Sequence, residues 1–258
     1  MKKIAVITGA SSGIGKEFAR TLASHGTYDE VWAIARNTER LEALKEIIPF
    51  PVKPISLDLS NDDFIETFGA MLNEEKPSIG ILINCSGYGK FEATENISLE
   101  DNLGMIDLNC RALVAMTYLC LEYMEKGSEI IEIASVAAFQ PIPYINVYGA
   151  SKAFVLSFTR ALAREVKGRG IRVMAVCPFW TKTAFFERAI KKDSDTIVKK
   201  YAAMYETSDI VKCAWRAIKK KNKDYCVPGF TAKMQVFLVK ILPHKWVMSI
   251  WQSQQKLK

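Results

Sequence analysis

Histidine is nearly missing from this 258-residue chain, which carries only His25 and His244. The six cysteines (85, 110, 120, 177, 213 and 226) form no C-x-x-C pair and stand at no metal-ligand spacing from either histidine. No metal site is therefore expected. Thiols scattered through apolar segments read as core residues of a reducing, cytoplasmic protein. A run of about 20 uncharged apolar residues is also absent, so no membrane-spanning helix is expected. A strand and a glycine turn begin at residue 3, so no signal peptide is expected. Linkers, low-complexity segments and internal repeats are lacking as well, and residues 1–258 read as one domain.

What is present is alternation. Apolar runs at 3–8, 31–35, 52–57, 79–84, 129–135, 171–177 and 224–227 read as strands. Helical spacing fills 13–25, 38–48, 61–75, 99–125, 148–168 and 207–221. Strand alternating with helix predicts an α/β fold, a doubly wound parallel sheet of about seven strands with helices on both faces. A hydrophobic fraction of 49% supplies its core. Ligands of such sheets bind beyond the strand C-termini, and Thr8, Asn84, Ser135 and Pro178 all follow predicted strands. The net charge of +7 does not point to nucleic acid. Its densest cluster, Arg216 to Lys223, ends a helix, where cations offset the dipole.

Two motifs carry chemistry. The first strand ends in Thr8-Gly9-Ala-Ser11-Ser12-Gly13-Ile14-Gly15 and runs into a helix, the order of a dinucleotide-binding start. Gly9 permits the tight turn, Gly13 lets backbone approach a pyrophosphate, and Gly15 allows close helix–strand packing. The anion then sits on free N–H groups at the helix N-terminus. The second motif is Tyr148-Gly-Ala-Ser-Lys152, with Ser135 upstream of it. Tyr148 and Lys152 lie one turn apart on one helix face. A lysine cation stabilises phenolate, so the tyrosine pKa is expected to fall below its usual value of about 10. Such a group trades a proton with a substrate oxygen near neutral pH.

Together these motifs resemble the short-chain dehydrogenase/reductase family, single-domain type, over almost the whole chain. The resemblance implies a Rossmann-type fold and further site residues. Asp58-Leu59 closes the third strand, where the family sets an aspartate against the adenine. Asn84-Cys-Ser-Gly87 stands where the family usually shows Asn-Asn-Ala-Gly, and Pro178 through Thr181 to Thr183 matches Pro-Gly-x-x-x-Thr. Phe179 replaces the glycine, placing an aromatic beside the nicotinamide and leaving the backbone path open. By resemblance, Tyr148 is the general acid in ketone reduction and the base in alcohol oxidation. Lys152 supports it and bonds the nicotinamide ribose, Ser135 bonds the substrate oxygen, and Asn109 helps hold a relay water near Lys152. A dinucleotide-binding redox sensor without turnover is the alternative class.

Cofactor choice turns on the end of the second strand. The sequence there, Ala33-Ile-Ala35-Arg36-Asn37-Thr38, has no acid for two ribose hydroxyls. Arg36 can fork onto phosphate oxygens, and Ser11 or Ser12 can add hydroxyls. NADP(H) is therefore expected over NAD(H). Aromatic residues after Ser135 and in 179–206 suggest a pocket for a ketone or alcohol on a hydrophobic body: steroid, acyl or aromatic. The 179–206 segment, with Lys191-Lys-Asp-Ser-Asp195, is expected to form a substrate lid. The tail, 229–258, admits three readings: a pocket wall or subunit interface, a packed terminal helix, or a membrane-surface segment. The apolar helices at 99–125 and 148–168 suggest a homodimer or homotetramer, by family analogy. His25 and His244 are assigned no partner and default to surface or satisfied residues.

Overall fold

The computed structural model describes residues 1–189, 197–198, 200–220 and 223–257. The stretch Lys191 to Asp195, assigned above to the lid, lies outside them. The described residues hold seven strands: β1 (Lys3–Thr8), β2 (Glu30–Ala35), β3 (Val52–Ser56), β4 (Ser78–Asn84), β5 (Glu129–Ile133), β6 (Arg172–Val176) and β7 (Tyr225–Cys226). They form one parallel sheet in the order β3-β2-β1-β4-β5-β6-β7. The order reverses between β1 and β4, which makes their C-terminal ends the switch point where such sheets bind ligands.

Ten helices lie among the described residues: α1 (Gly13–Thr21), α2 (Thr38–Glu42), α3 (Asp63–Glu75), α4 (Leu99–Ile106), α5 (Ala112–Leu121), α6 (Asn146–Glu165), α7 (Phe185–Ala189), α8 (Thr207–Ile218), α9 (Phe230–Ile241) and α10 (His244–Gln255). Alternation along a strand divides the core. Ala5 and Ile7 of β1 pack with Phe18 of α1, Leu41 of α2 and Ile210 of α8. Ile4 and Val6 face the other way, onto Phe68 of α3, Met116 of α5 and Leu162 of α6. Because both faces are covered, the strand reads as one continuous apolar run.

The helix predicted over 99–125 runs from Leu99 to Leu121 and contains a π turn at Asp107–Arg111, in which Asn109 is wholly buried. The apolar spacing runs through this turn without interruption, so periodicity alone misses it. His25, assigned no partner above, has two: its side chain is nearly buried, Nε2 pairs with Glu129, and the ring stacks on Trp215 at 4.2 Å. The Leu99–Leu121 stretch is long and apolar enough to cross a membrane by length and composition, with a mean hydropathy of 1.2. Its inner side packs on the sheet through Leu113, Met116 and Cys120, while Leu99, Leu103, Ile106 and Tyr118 remain exposed.

Candidate active site

Where β1 and β4 part, Thr8 bridges them: its Oγ1 accepts the N–H groups of Cys85 and Ser86, both at 3.1 Å. The turn beyond is fixed by backbone contact. Gly9 has a φ of 65°, and a Cβ there would stand 2.9 Å from the Cys85 carbonyl carbon. A Cβ at Gly15 would stand 2.3 Å from the Gly9 oxygen. Side chains are excluded at both positions. Gly13, with a φ of 54°, has the Thr183 methyl 3.2 Å from where a Cβ would project, which brings the 179–183 segment over the glycine turn.

A cavity of 850 Å³ extends from this turn along the strand ends to the C-terminal helices. Its wall includes Gly9, Ser11, Ser12, Gly13, Ile14 and Gly15 at one end, with Arg36, Asp58, Leu59 and Gly87 alongside. Ser135, Tyr148, Lys152, Pro178, Thr181 and Thr183 line its middle. Two predicted residues are not on the wall. Asn84 lies behind it, donating to Thr117 Oγ1 at 3.1 Å and to Glu132 Oε1 at 3.2 Å. Asn109 donates to the Tyr88 carbonyl at 2.9 Å and to Ser151 Oγ at 3.0 Å, and its Oδ1 accepts the Tyr88 N–H at 3.0 Å. It therefore pins the segment after β4 against α6.

Tyr148 occupies the first turn of α6, and its phenol hydrogen-bonds the Ser135 hydroxyl. Burial pushes the Tyr148 pKa up to about 12, with the Ser135 bond pulling the other way. The expected lowering by Lys152 is not observed. Lys152 Nζ sits 5.8 Å from the centre of the Tyr148 ring and donates to the Ile133 carbonyl at 2.8 Å, and desolvation of the phenol dominates. Burial also lowers Lys152 to about 8, with nearby Glu132 among the groups that oppose the change. Phe179 takes its place without a left-handed backbone, packing against Trp180 and on the cavity wall.

Four residues escaped the sequence reading. Arg40, in α2, joins Arg36 on the cavity wall. Arg36 itself is mostly exposed and stands 3.8 Å from Asp58. Gln140 is buried on the wall, and its Oε1 has no hydrogen-bond partner among the described residues. Thr117 and Glu132 form the third and fourth, behind the wall. Glu132 is fully buried in β5; Thr117 Oγ1 donates to its Oε1 at 2.8 Å, and its Oε2 has no partner among the described residues. The signal was there: an acid inside the apolar run Glu129-Ile-Ile-Glu132-Ile133.

Around the substrate end, rings converge. Phe91 meets Tyr148, Trp180 and Phe185 edge-on or tilted at 5.8–5.9 Å. Trp251 of α10 stacks on Trp180 at 6.4 Å and donates to the Pro143 carbonyl at 3.1 Å. Gln255 exchanges two hydrogen bonds of 2.9 Å with the Lys200 backbone. The tail therefore closes one side of the cavity and clamps the end of the 179–206 segment.

A doubly wound sheet with a glycine cradle at its switch point and a Ser–Tyr–Lys cluster beside it defines a nicotinamide-dependent oxidoreductase. The short-chain dehydrogenase family model matches residues 3–194. The chain is 34% identical to mouse 17-beta-hydroxysteroid dehydrogenase type 3, over 77% of this chain and 68% of that protein. It is also 34% identical to an NADP-dependent 3-hydroxy acid dehydrogenase of Salmonella typhimurium, over 82% and 87%. A Sphingobium yanoikuyae short-chain dehydrogenase solved with NADPH superposes with a TM-score of 0.77 at 27% identity, covering 96% of this chain and 95% of the other. This chain belongs to the short-chain dehydrogenase/reductase family and is an oxidoreductase acting on alcohol and ketone groups.

The buried acid gives a test. Desolvation raises Glu132 from the usual 4.5 to about 7, against bonds from Thr117 and Asn84 and the charge of Lys152. Between those values the folded chain binds more protons than the unfolded one, so stability falls as pH rises. The loss is absent below the lower value and complete above the upper one. Glu132→Gln keeps the acceptor and removes the titration. Urea unfolding from pH 4.5 to 8 is expected to cost the native chain on the order of 3 kcal/mol more than the variant. Equal slopes would contradict the burial.

Proposed function

We propose that the chain is an NADP(H)-dependent reductase of ketones carried on an apolar body, with aromatic, acyl and steroid ketones as the classes to test. The observation that carries this reading is the meeting of Ser135, Tyr148 and Lys152 on a cavity whose far end is walled by Phe91, Trp180, Phe185 and Trp251. The glycine turn, packed so closely on backbone that Gly9 and Gly15 have no room for a Cβ, lies on the cavity wall at the start of α1 and fits a pyrophosphate. Arg36 and Arg40 fit a 2′-phosphate, with Ser11 and Ser12 adding hydroxyls. When bound, the nicotinamide supplies or accepts the hydride.

The protein supplies orientation and the proton. Ser135 donates a hydrogen bond to the substrate carbonyl oxygen and fixes its distance from Tyr148. With its pKa near 12, Tyr148 holds its proton at neutral pH and delivers it to that oxygen as negative charge develops. Lys152 is mostly cationic below its pKa of about 8 and stabilises the phenolate left behind. Asn109 acts as a positioning residue, through the Tyr88 backbone and Ser151. Gln140 Oε1 can accept a hydrogen bond from one hydroxyl or N–H on an otherwise apolar substrate. Leu103 and Ile106 of α4, Tyr118 of α5 and Phe154 of α6 are exposed and support a dimer built on these helices.

Tyr148→Phe is expected to lower the reduction rate by about 10²–10⁴-fold while NADPH binding, followed by fluorescence, is unchanged. A variant with undiminished turnover would sink the mechanism. No turnover by the native chain on aromatic, acyl or steroid ketones, with NADPH still bound, would favour a redox sensor instead.

Arg36→Ala and Arg40→Ala are each expected to weaken NADPH binding by about tenfold and leave NADH binding unchanged, the loss of one charge-assisted hydrogen bond. Equal effects on both nucleotides would remove the 2′-phosphate assignment.

Light scattering at micromolar concentration is expected to give a dimer or tetramer, and Leu103→Glu with Phe154→Glu a monomer. A monomeric native chain would refute this interface.

A further inference from the structure

The C-terminal helices carry a second surface that catalysis does not use. On α9, Phe230, Met234, Phe237, Leu238 and Ile241 fall at i, i+4, i+7, i+8 and i+11, one stripe at helical spacing. All five are exposed, Phe230 by 78%, Phe237 by 58% and Ile241 by 61%. The opposite side of the helix, Ala232, Val236 and Val239, is buried against the protein. On α10, Trp246 and Ile250 extend the apolar surface, Trp246 being 56% exposed. A helix needs one apolar side to dock on its own protein. This one has two.

Charge completes the pattern. From Tyr225 to Lys258 the sequence contains lysines 233, 240, 245, 256 and 258 and no aspartate or glutamate. Lys233 lies beside the stripe on α9 and is exposed, and Lys245 adjoins Trp246. Lys240 bends back to donate to the Tyr225 hydroxyl at 2.9 Å, whereas Lys233 and Lys245 are exposed and adjoin the apolar residues in sequence. Exposed Phe and Trp with lysines alongside and no acids are the composition of a helix that lies in a lipid interface. A second copy of the chain has a different apolar face available, through α4, α5 and α6.

We infer that α9 and α10 form a docking surface for an anionic lipid bilayer, with Phe230, Phe237, Ile241 and Trp246 entering the headgroup region and Lys233 and Lys245 facing acidic headgroups. The stripe also borders the cavity: Met234, Leu238 and Ile250 belong to both. Docking therefore sets the cavity rim against the membrane, and an apolar ketone dissolved in lipid enters without crossing water. This delivery role rests on the reductase reading above; vesicle binding does not, so the two fail separately.

The test is flotation of the purified chain with phosphatidylcholine vesicles and with vesicles containing phosphatidylserine. Binding is expected to the second kind, weakening as salt is raised. Phe237→Asp with Ile241→Asp, two exposed residues off the cavity wall, should abolish it. Lys233→Glu with Lys245→Glu should reduce it by at least about tenfold. NADPH binding and reduction of a water-soluble ketone should be unchanged in both variants, which shows that they fold. Absence of binding by the native chain overturns the inference, as does equal binding to both vesicle types. Conversion of an oligomer to monomer by Phe237→Asp with Ile241→Asp, seen by light scattering, also overturns it and assigns the stripe to a second copy.

Discussion

The hydrogen bond from Lys152 Nζ to the Ile133 carbonyl ties α6 to the end of β5. The rest of the site is arranged around it. Ser135 follows β5 by two residues, and Tyr148 lies one helical turn before Lys152, so a single side-chain bond fixes strand, serine and tyrosine together. Lys152 is buried, and a buried ammonium tends to lose its proton. The neighbouring Cys110 and Cys85 side chains and the Glu132 carboxyl offset that tendency in part, which leaves the lysine titrating near 8.

Glu132 is the counterpart of this arrangement. A carboxyl sealed inside a parallel sheet costs stability when ionised, and here desolvation dominates the bonds that Thr117 and Asn84 donate. Glu132 and Lys152 each soften the other's penalty without forming a direct ion pair among those observed. Asn84, expected on the cavity wall, is instead turned toward this acid. The cavity wall and the buried network behind it therefore share strand ends, and a change to one is transmitted to the other through β4 and β5.

Much of the fold was legible in the sequence because parallel strands buried on both faces read as unbroken apolar runs, and the glycine turn and the Tyr148–Lys152 spacing are geometric requirements written in residue types. What was hidden has physical reasons. The π turn at Asn109 leaves the apolar spacing intact, so nothing in the pattern marks it. Glu132 sits inside a run whose neighbours outvote it, and the acid's burial depends on Thr117 and Asn84, distant in sequence. Arg40 lines the cavity from α2, whose cap Asn37 accepts the Arg40 N–H on Oδ1 at 2.8 Å. The lowering of the Tyr148 pKa failed as an expectation because a spacing rule specifies proximity but not desolvation.

The tail shows the same limit from the other side. Pocket wall, packed helix and membrane surface were competing readings of one apolar segment, yet α9 has room for all three. Its buried side holds Ala232, Val236 and Val239; the adjoining flank, with Thr231, Gln235 and Leu242, reaches the cavity. The remaining side, from Phe230 to Ile241, faces outward. A helix that is apolar nearly all round gives a weak amphipathic signal, so periodicity identifies the helix but cannot rank its faces. Only the positions of the sheet and the cavity distinguish them. The sides meet at Met234 and Leu238, which are exposed and also line the cavity, so whatever covers the outer stripe also controls the cavity rim.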